Sequence, residues 1–306
     1  MIENKFRSIL YYVMQKFSLV LPEMQVRPIL ISGTHRGGTT FVGTVLAQAN
    51  ELRYVYEPLS PWFDDLSRDT HCPICGLDLN TWYPYIYEGN EKPYRTHFKH
   101  FNNSKRLMGK QPLYKDPLSP FAAEWLYKTY DTQVVFLLRN PLALVASCKQ
   151  VDWGVPFDRL VHQNELLNTY LPQYKKEAKE FAKGKHTKLE ETALLYNMVY
   201  EKAYGLSQKY PDWIFIKHED ISSNPEQEFS QLFKRLGLNY APSVQAKVDE
   251  LTSAKNKAEG KDTKIHSIHR KSKDLTELWK KRLTKTEIDY VTKTCKRVAA
   301  LHGYDL

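Results

Sequence analysis

The sequence predicts an α/β fold, an open parallel sheet flanked by helices in a single domain, and three observations carry that prediction. Short runs at 27–32, 133–138 and 213–216 are apolar at nearly every position, as in strands buried on both faces rather than one. Each run gives way to helical sequence, the alternation expected of a sheet covered on both sides. A length of 306 residues, 42% hydrophobic and 26% charged, suits one such domain with insertions and excludes a largely disordered chain.

Taken in order, residues 1–25 are predicted as an N-terminal helical extension and 26–306 as the domain itself. The apolar stretch at 9–21 is broken by Gln15 and Lys16 and falls short of the roughly 20 residues needed to cross a bilayer. It has no small-residue cleavage site. Packing on the domain is expected, with peripheral membrane contact through this segment as the alternative. The run at 27–32 stops at Gly33, and a helical pattern follows through Phe41, Val45 and Leu46. Shorter strands are expected at 53–56 and 113–115, the second ending in Lys115 before an Asp116-Pro117 turn and a helix with Phe121, Trp125 and Leu126. The segment at about 61–111 is rich in Tyr, Trp, Pro, Asn and His without a clear period and reads as a loop-rich insertion. The run at 133–138 ends at Arg139-Asn140-Pro141, Pro being favoured at the first position of a helix. The last run leads into His218-Glu219-Asp220, and Asn224-Pro225 then opens a helix with Phe229, Leu232, Phe233 and Leu236, closed by Gly237.

The formal charge is +9, and 14 basic against 6 acidic residues fall between 255 and 297. A local excess of that size marks an end that meets something anionic, or a solvated Lys-rich surface. Four cysteines are too few for a disulfide framework, so a reducing, cytoplasmic compartment is the expectation. His71-Cys72-Pro73-Ile74-Cys75 resembles half a zinc site, but no second Cys pair follows. With four ligands needed for tetrahedral zinc, no metal is assigned here, and a redox pair or two plain loop thiols is preferred.

The chemistry is concentrated between Gly33 and Thr40. Gly33-Thr34-His35-Arg36-Gly37-Gly38-Thr39-Thr40 has the glycine frame of a phosphate loop between a buried strand and a helix, where backbone N–H groups and the helix N-terminus hold an anion. The sheet is thus P-loop-like. Where an ATPase or GTPase carries Lys, this loop has Thr39, and its cation is Arg36. Arg139 ends the second long strand, where a magnesium-binding Asp is common. Ser147 lies eight residues on, two turns into the next helix. Ligands of open parallel sheets bind beyond the carboxyl ends of the strands, which puts the glycine loop, Glu57, Lys115 and Arg139 on one rim.

These residues resemble the sulfotransferases that use 3′-phosphoadenosine 5′-phosphosulfate (PAPS). Arg36-Gly37-Gly38-Thr39-Thr40 is similar to their 5′-phosphosulfate loop, and the stretch from Arg139 to Ser147 to their 3′-phosphate element. Lys217-His218-Glu219-Asp220, Asn224-Pro225, His266-Ser267-Ile268-His269-Arg270, Trp279 and Gly303-Tyr304 resemble later landmarks of bacterial and Golgi-type carbohydrate members. The resemblance implies that Arg36, Gly37, Gly38, Thr39 and Thr40 hold the 5′ end and that Arg139 and Ser147 hold the 3′-phosphate. Phe41 is the candidate beside adenine and Arg270 a further contact from the basic end. Gly37 stands where Ser is common in the family, which removes one hydroxyl donor.

Sulfuryl transfer needs an in-line acceptor, a base for its proton and positive charge on the leaving phosphate, with no metal required. Glu57, in a Glu-Pro element similar to that of carbohydrate sulfotransferases, is the chosen base, with Asp116, His35, His97 and His100 as substitutes. Arg36 and Lys115 are the catalytic cations. The aromatics Trp62, Trp82, Tyr83, Tyr85 and Tyr87 point to a sugar acceptor, on a glycan or glycolipid, because flat rings stack on pyranose faces. Two readings compete: a nucleotide kinase or NTPase with a degenerate loop, and a non-catalytic anion-binding module. Nucleic acid is not expected as a partner, since the basic end carries few aromatics beyond Trp279 and Tyr290.

Overall fold

The structure is a computed structural model that describes residues 17, 19–60, 71–72, 75–253 and 277–306, leaving aside the side chains of 104–108. Arg270, Trp62 and most of the basic stretch lie outside the described residues, as do residues 1–16.

Five parallel strands form one sheet in the order β2-β3-β1-β4-β5. They are β1 (Ile29–Ser32), β2 (Leu52–Tyr56), β3 (Gln111–Lys115), β4 (Gln133–Leu138) and β5 (Ile214–Lys217). Along β4 the side chains alternate between two cores: Val134, Phe136 and Leu138 face one, Val135 and Leu137 the other. Burial on both faces explains why the strand reads as an uninterrupted apolar run.

The helices cover both faces. Between β1 and β2 lies α1 (Thr39–Leu46), between β2 and β3 α2 (Glu91–Met108), and between β3 and β4 α3 (Ala123–Tyr130). After β4 come α4 (Pro141–Gln150), α5 (Phe157–Leu160), α6 (Lys175–Phe181) and the 22-residue α7 (Lys188–Lys209). After β5 follow α8 (His218–Ser223), α9 (Pro225–Leu236), α10 (Pro242–Thr252), α11 (Trp279–Arg282) and α12 (Lys285–Leu301). Capping boxes at Thr187/Glu190 and Thr284/Glu287 start α7 and α12. Helix α9 begins at Pro225 and stops at Gly237, which adopts the left-handed conformation that ends helices. No helix among the described residues is long and apolar enough to cross a membrane.

The segment expected to be a loop-rich insertion contains an 18-residue helix, α2. Its buried stripe is Tyr94, His97, Phe98 and Phe101, spaced at helical intervals but built from aromatic and imidazole rings instead of aliphatics. The period is therefore present and was hidden by residue type.

The strand order places a topological switch at β1, from which the chain moves first towards β2 and later across to β4. An open parallel sheet binds ligands at such a point, in the crevice beyond the strand ends. The loops after β1 and β4 meet there.

Candidate active site

The loop after β1 is shaped by backbone strain that glycine relieves. Gly38 has φ 99°, and a Cβ there would run into the His218 ring; a Cβ on Gly37 would lie 2.7 Å from the Thr34 carbonyl. Arg36 itself adopts a left-handed φ of 62°, uncommon for a residue with a side chain and a mark of functional constraint. The Gly37 N–H donates to the Thr34 carbonyl at 2.9 Å, closing the turn. Thr39 then opens α1, whose N-terminus has no side-chain cap and no acidic residue in its first turn. Its first N–H groups and the positive end of the helix are left for an anion.

The second loop is built to present Arg139. Asn140 caps α4 by accepting the Leu142 N–H at 2.9 Å, with Pro141 at the first position. The Asn140 N–H donates to Glu219 Oε1 at 3.0 Å, and Tyr304 OH donates to Glu219 Oε2 at 2.7 Å. The Lys217 ammonium lies 4.7 Å above the Tyr304 ring and donates to the Gly303 carbonyl at 3.2 Å. Lys217, Glu219, Gly303 and Tyr304 thus form a brace behind the Arg139 loop.

Arg36 and Ser147, 111 residues apart, meet directly: Arg36 Nε donates to Ser147 Oγ at 3.1 Å. Arg139 donates from Nη1 to the Arg36 carbonyl. Its Nε is buried without a hydrogen-bond partner among the described residues, an orphaned charged donor of the kind a ligand satisfies. Two guanidinium groups, one hydroxyl and an uncapped helix end converge on a small volume.

Glu57 and Lys115 stand at the neighbouring strand ends. Tyr56 on β2 and Ile31 on β1 both pair in register with Lys115 on β3. Lys115 Nζ donates to Glu57 Oε1 in an ion pair whose side chains are 0% and 7% exposed. The ammonium also lies 3.6 Å above the Tyr56 ring. Gly43 on α1 leaves room for the Lys115 stem, since a Cβ there would sit 3.0 Å from Lys115 Cγ. Burial pulls the Lys115 pKa down and the Glu57 charge partly restores it. Ser60 Oγ holds the other Glu57 oxygen at 3.2 Å, and Glu57 sits at φ 44°. Beside them, burial and then the Glu57 charge raise the Asp116 carboxyl to about 7. Asp116 is engaged by the Leu59 and Leu118 N–H groups at 2.6 and 2.8 Å, which marks it as the support of the Glu57 turn.

The substitute imidazoles are all buried. Tyr83 OH accepts the His35 backbone N–H at 3.3 Å and lies 2.7 Å from His35 Nδ1. The His35 Nε2 is buried without a hydrogen-bond partner among the described residues. Burial, followed by the Arg36 charge, lowers the His35 pKa to about 4. The ring is therefore neutral. His97 and His100 are buried on α2, His97 bound to the Pro58 carbonyl at 2.6 Å.

Phe41 packs edge-on against Phe229 with centroids 5.3 Å apart. Of the insertion aromatics, Tyr83 is core, whereas Trp82, Tyr85 and Tyr87 are partly exposed. Trp153 was not singled out from sequence. Its ring lies 5.8 Å from Arg36 Cζ and 6.0 Å from His35, opposite Trp82 at 6.3 Å from His35. Only the return of the chain after α4 brings it there, through a Trp153 N–H bond to the Cys148 carbonyl at 3.1 Å.

Fold and site together define an α/β protein with a phosphate-loop-like anion cradle that has no phosphate-loop lysine. Residues 27–304 match the family described as the sulfotransferase domain, and the chain belongs to that family. Similar solved structures include the sulfotransferase domain from the curacin biosynthetic pathway, at 15% identity over 92% of this chain and 100% of that one, TM-score 0.53. The sulfotransferase STF9 from Mycobacterium avium aligns at 10% identity over 97% and 81%, TM-score 0.54. The sulfotransferase domain of the Synechococcus PCC 7002 olefin synthase aligns at 14% identity over 93% and 98%, TM-score 0.51. These likenesses concern the fold, and no curated protein matches the chain.

Proposed function

We propose that the protein transfers a sulfuryl group from PAPS to an acceptor hydroxyl or amine on a glycan or glycolipid. The observation that carries this reading is the meeting of two separate loops, in which Arg36, Ser147 and Arg139 surround the uncapped start of α1. A donor with phosphates at both its 5′ and 3′ positions suits two adjoining cation-bearing loops. The amides of Gly38, Thr39 and Thr40 with Arg36 receive the 5′ end, and Arg139 with Ser147 receives the 3′-phosphate. The orphaned Arg139 Nε and the glycines that cannot accept a Cβ support that fit.

In the proposed reaction the acceptor oxygen attacks sulfur in line, an S–O bond forms, and the bond from sulfur to the 5′-phosphate oxygen breaks with its electron pair leaving on phosphate. Glu57 takes the acceptor proton. Lys115, released from Glu57 as that carboxylate protonates, turns to the charge developing on the leaving oxygen, and Arg36 covers the non-bridging oxygens. Preorganised cations supply most of the stabilisation, as in phosphoryl transfer. Trp82 and Trp153, 6.3 and 6.0 Å from the His35 ring, are the rings beside the loop on which a pyranose stacks. Tyr85 is itself stacked on Tyr87 and Tyr170. The four free thiols suit a reducing, cytoplasmic compartment.

The test is a screen of glycans, glycolipids, phenols and peptides with labelled PAPS, run beside a titration with adenosine 3′,5′-bisphosphate (PAP). Binding of PAP together with label transfer to a sugar supports the reading. Transfer only to phenols removes the sugar acceptor, and magnesium-dependent ATP turnover without sulfate transfer replaces the reading with a kinase.

A further inference from the structure

Away from the phosphate cradle, the chain between β2 and α2 makes a tight turn around two thiols. The Gly76 N–H donates to the Cys72 carbonyl at 2.8 Å, and the Cys72 N–H donates to the Leu77 carbonyl at 2.8 Å. His71 and Asp78 close the turn with an antiparallel bridge. Gly76, at φ 75°, permits the reversal immediately after the second thiol. The backbone N–H of Cys75 points at the Cys72 sulfur and that of Leu77 at the Cys75 sulfur.

A third ligand arrives from α2. Cys72 Sγ, Cys75 Sγ and a His97 ring nitrogen all lie within 4.8 Å of one another, with His97 Nδ1 3.2 Å from Cys75 Sγ. Ligand bonds of about 2.3 Å to sulfur and about 2.0–2.1 Å to nitrogen put tetrahedral ligand atoms roughly 3.5–3.8 Å apart, so little movement is needed to admit an ion. The other His97 nitrogen, Nε2, lies 2.6 Å from the Pro58 carbonyl. A carbonyl only accepts, so Nε2 carries the proton and Nδ1 presents its lone pair to the sulfurs. That is the arrangement by which a backbone carbonyl fixes the tautomer of a metal-binding histidine. Cys72 and His97 are 2% and 0% exposed while Cys75 is half-buried. The two thiols are unbonded to each other.

We propose that Cys72, Cys75 and His97 bind one zinc ion through two thiolates and Nδ1, the fourth position being taken by a ligand outside this trio. Binding releases the remaining thiol protons to solvent and changes no oxidation state. The ion is structural. Through His97 Nε2 it ties α2 and the Cys turn to Pro58, the residue after Glu57, and so stiffens the turn that carries the candidate base. The reaction of the preceding section does not pass through it. The second Cys pair that the sequence lacks is replaced in part by a histidine 22 residues beyond Cys75.

The test is the zinc content of the full chain, purified without chelator in reducing buffer and measured by plasma mass spectrometry. About one equivalent is expected in the wild-type chain, falling to under roughly a tenth in Cys75→Ser and in His97→Ala, as ligand loss predicts. Cys295→Ser, remote from the turn, keeps its zinc. If the ligand variants fail to fold, the wild-type chain decides: stripped with phenanthroline and reloaded with cobalt, it shows an intense thiolate-to-cobalt charge-transfer band. No zinc in the reduced wild-type chain and no such band, or unchanged zinc in Cys75→Ser, overturns the proposal. Recovery of Cys72 and Cys75 as a disulfide that takes no zinc after reduction overturns it equally. PAP binding is a separate readout, so loss of the transferase reading leaves the zinc result standing.

Discussion

The two halves of the sheet's carboxyl rim handle charge in opposite ways. At the ends of β1 and β4 the cations are half-buried against a hydroxyl, a carbonyl and an indole ring. Arg36 rests on a serine hydroxyl, and Arg139 keeps a buried donor without a partner among the described residues. At the ends of β2 and β3 the charges are deeply buried and neutralise each other, with Lys115 on Glu57 and Asp116 on backbone amides. One half presents guanidinium groups, and the other holds a carboxylate and an ammonium in fixed register; under the proposed function the first binds PAPS and the second moves the proton. Binding and proton transfer should therefore respond to different substitutions.

The largest separation is expected at Glu57. Glu57→Gln lowers turnover by about 10²–10⁴-fold, the usual contribution of a well-placed base, while PAP affinity by calorimetry stays near wild type. Full turnover in this variant removes Glu57 as the base. Next comes Lys115→Ala, which leaves a buried carboxylate uncompensated and costs about 3–5 kcal/mol in urea unfolding. Arg36→Ala, cut from a hydroxyl contact at the other half, costs about 1 kcal/mol on the same measure. Equal losses at the two positions erase the contrast between the halves. Arg139→Ala weakens PAP by about 1.5–3 kcal/mol, roughly 10–150-fold, without a matching loss of fold stability.

A separate contrast concerns the pH dependence of stability. His35 is held neutral, its pKa lowered from 6.5 to about 4 by burial and by Arg36. Between those values the unfolded chain binds a proton that the folded chain refuses, so stability present above pH 6.5 is lost as pH falls towards 4. The loss reaches about 3 kcal/mol at ~1.36 kcal/mol per pK unit. Unfolding midpoints at pH 7 and pH 4.5 should thus differ less in His35→Gln than in wild type, and an unchanged difference contradicts the buried neutral imidazole.

What could be read from sequence follows from how local each signal is. The strands and the glycine loop are contiguous stretches, so apolar runs and turn residues reveal them within a residue or two. At β5 the start moves from Trp213 to Ile214, because the Trp213 N–H closes a turn on the Tyr210 carbonyl at 3.1 Å. Helix α2 was missed because its stripe is made of Tyr94, His97, Phe98 and Phe101. The pairing of Glu57 with Lys115, 58 residues away, is not legible in the sequence, since pairing across strands depends on register that no local pattern carries. The place of Trp153 beside Arg36 likewise depends on the path of the chain after α4.

The central claim, that the loops after β1 and β4 grip the two ends of one nucleotide, is tested most directly by a crystal structure of the chain with PAP. The account predicts the 5′-phosphate on the amides of Gly38, Thr39 and Thr40 and the 3′-phosphate on Arg139 and Ser147. PAP held by only one of these loops, or bound at the basic C-terminal end, contradicts it.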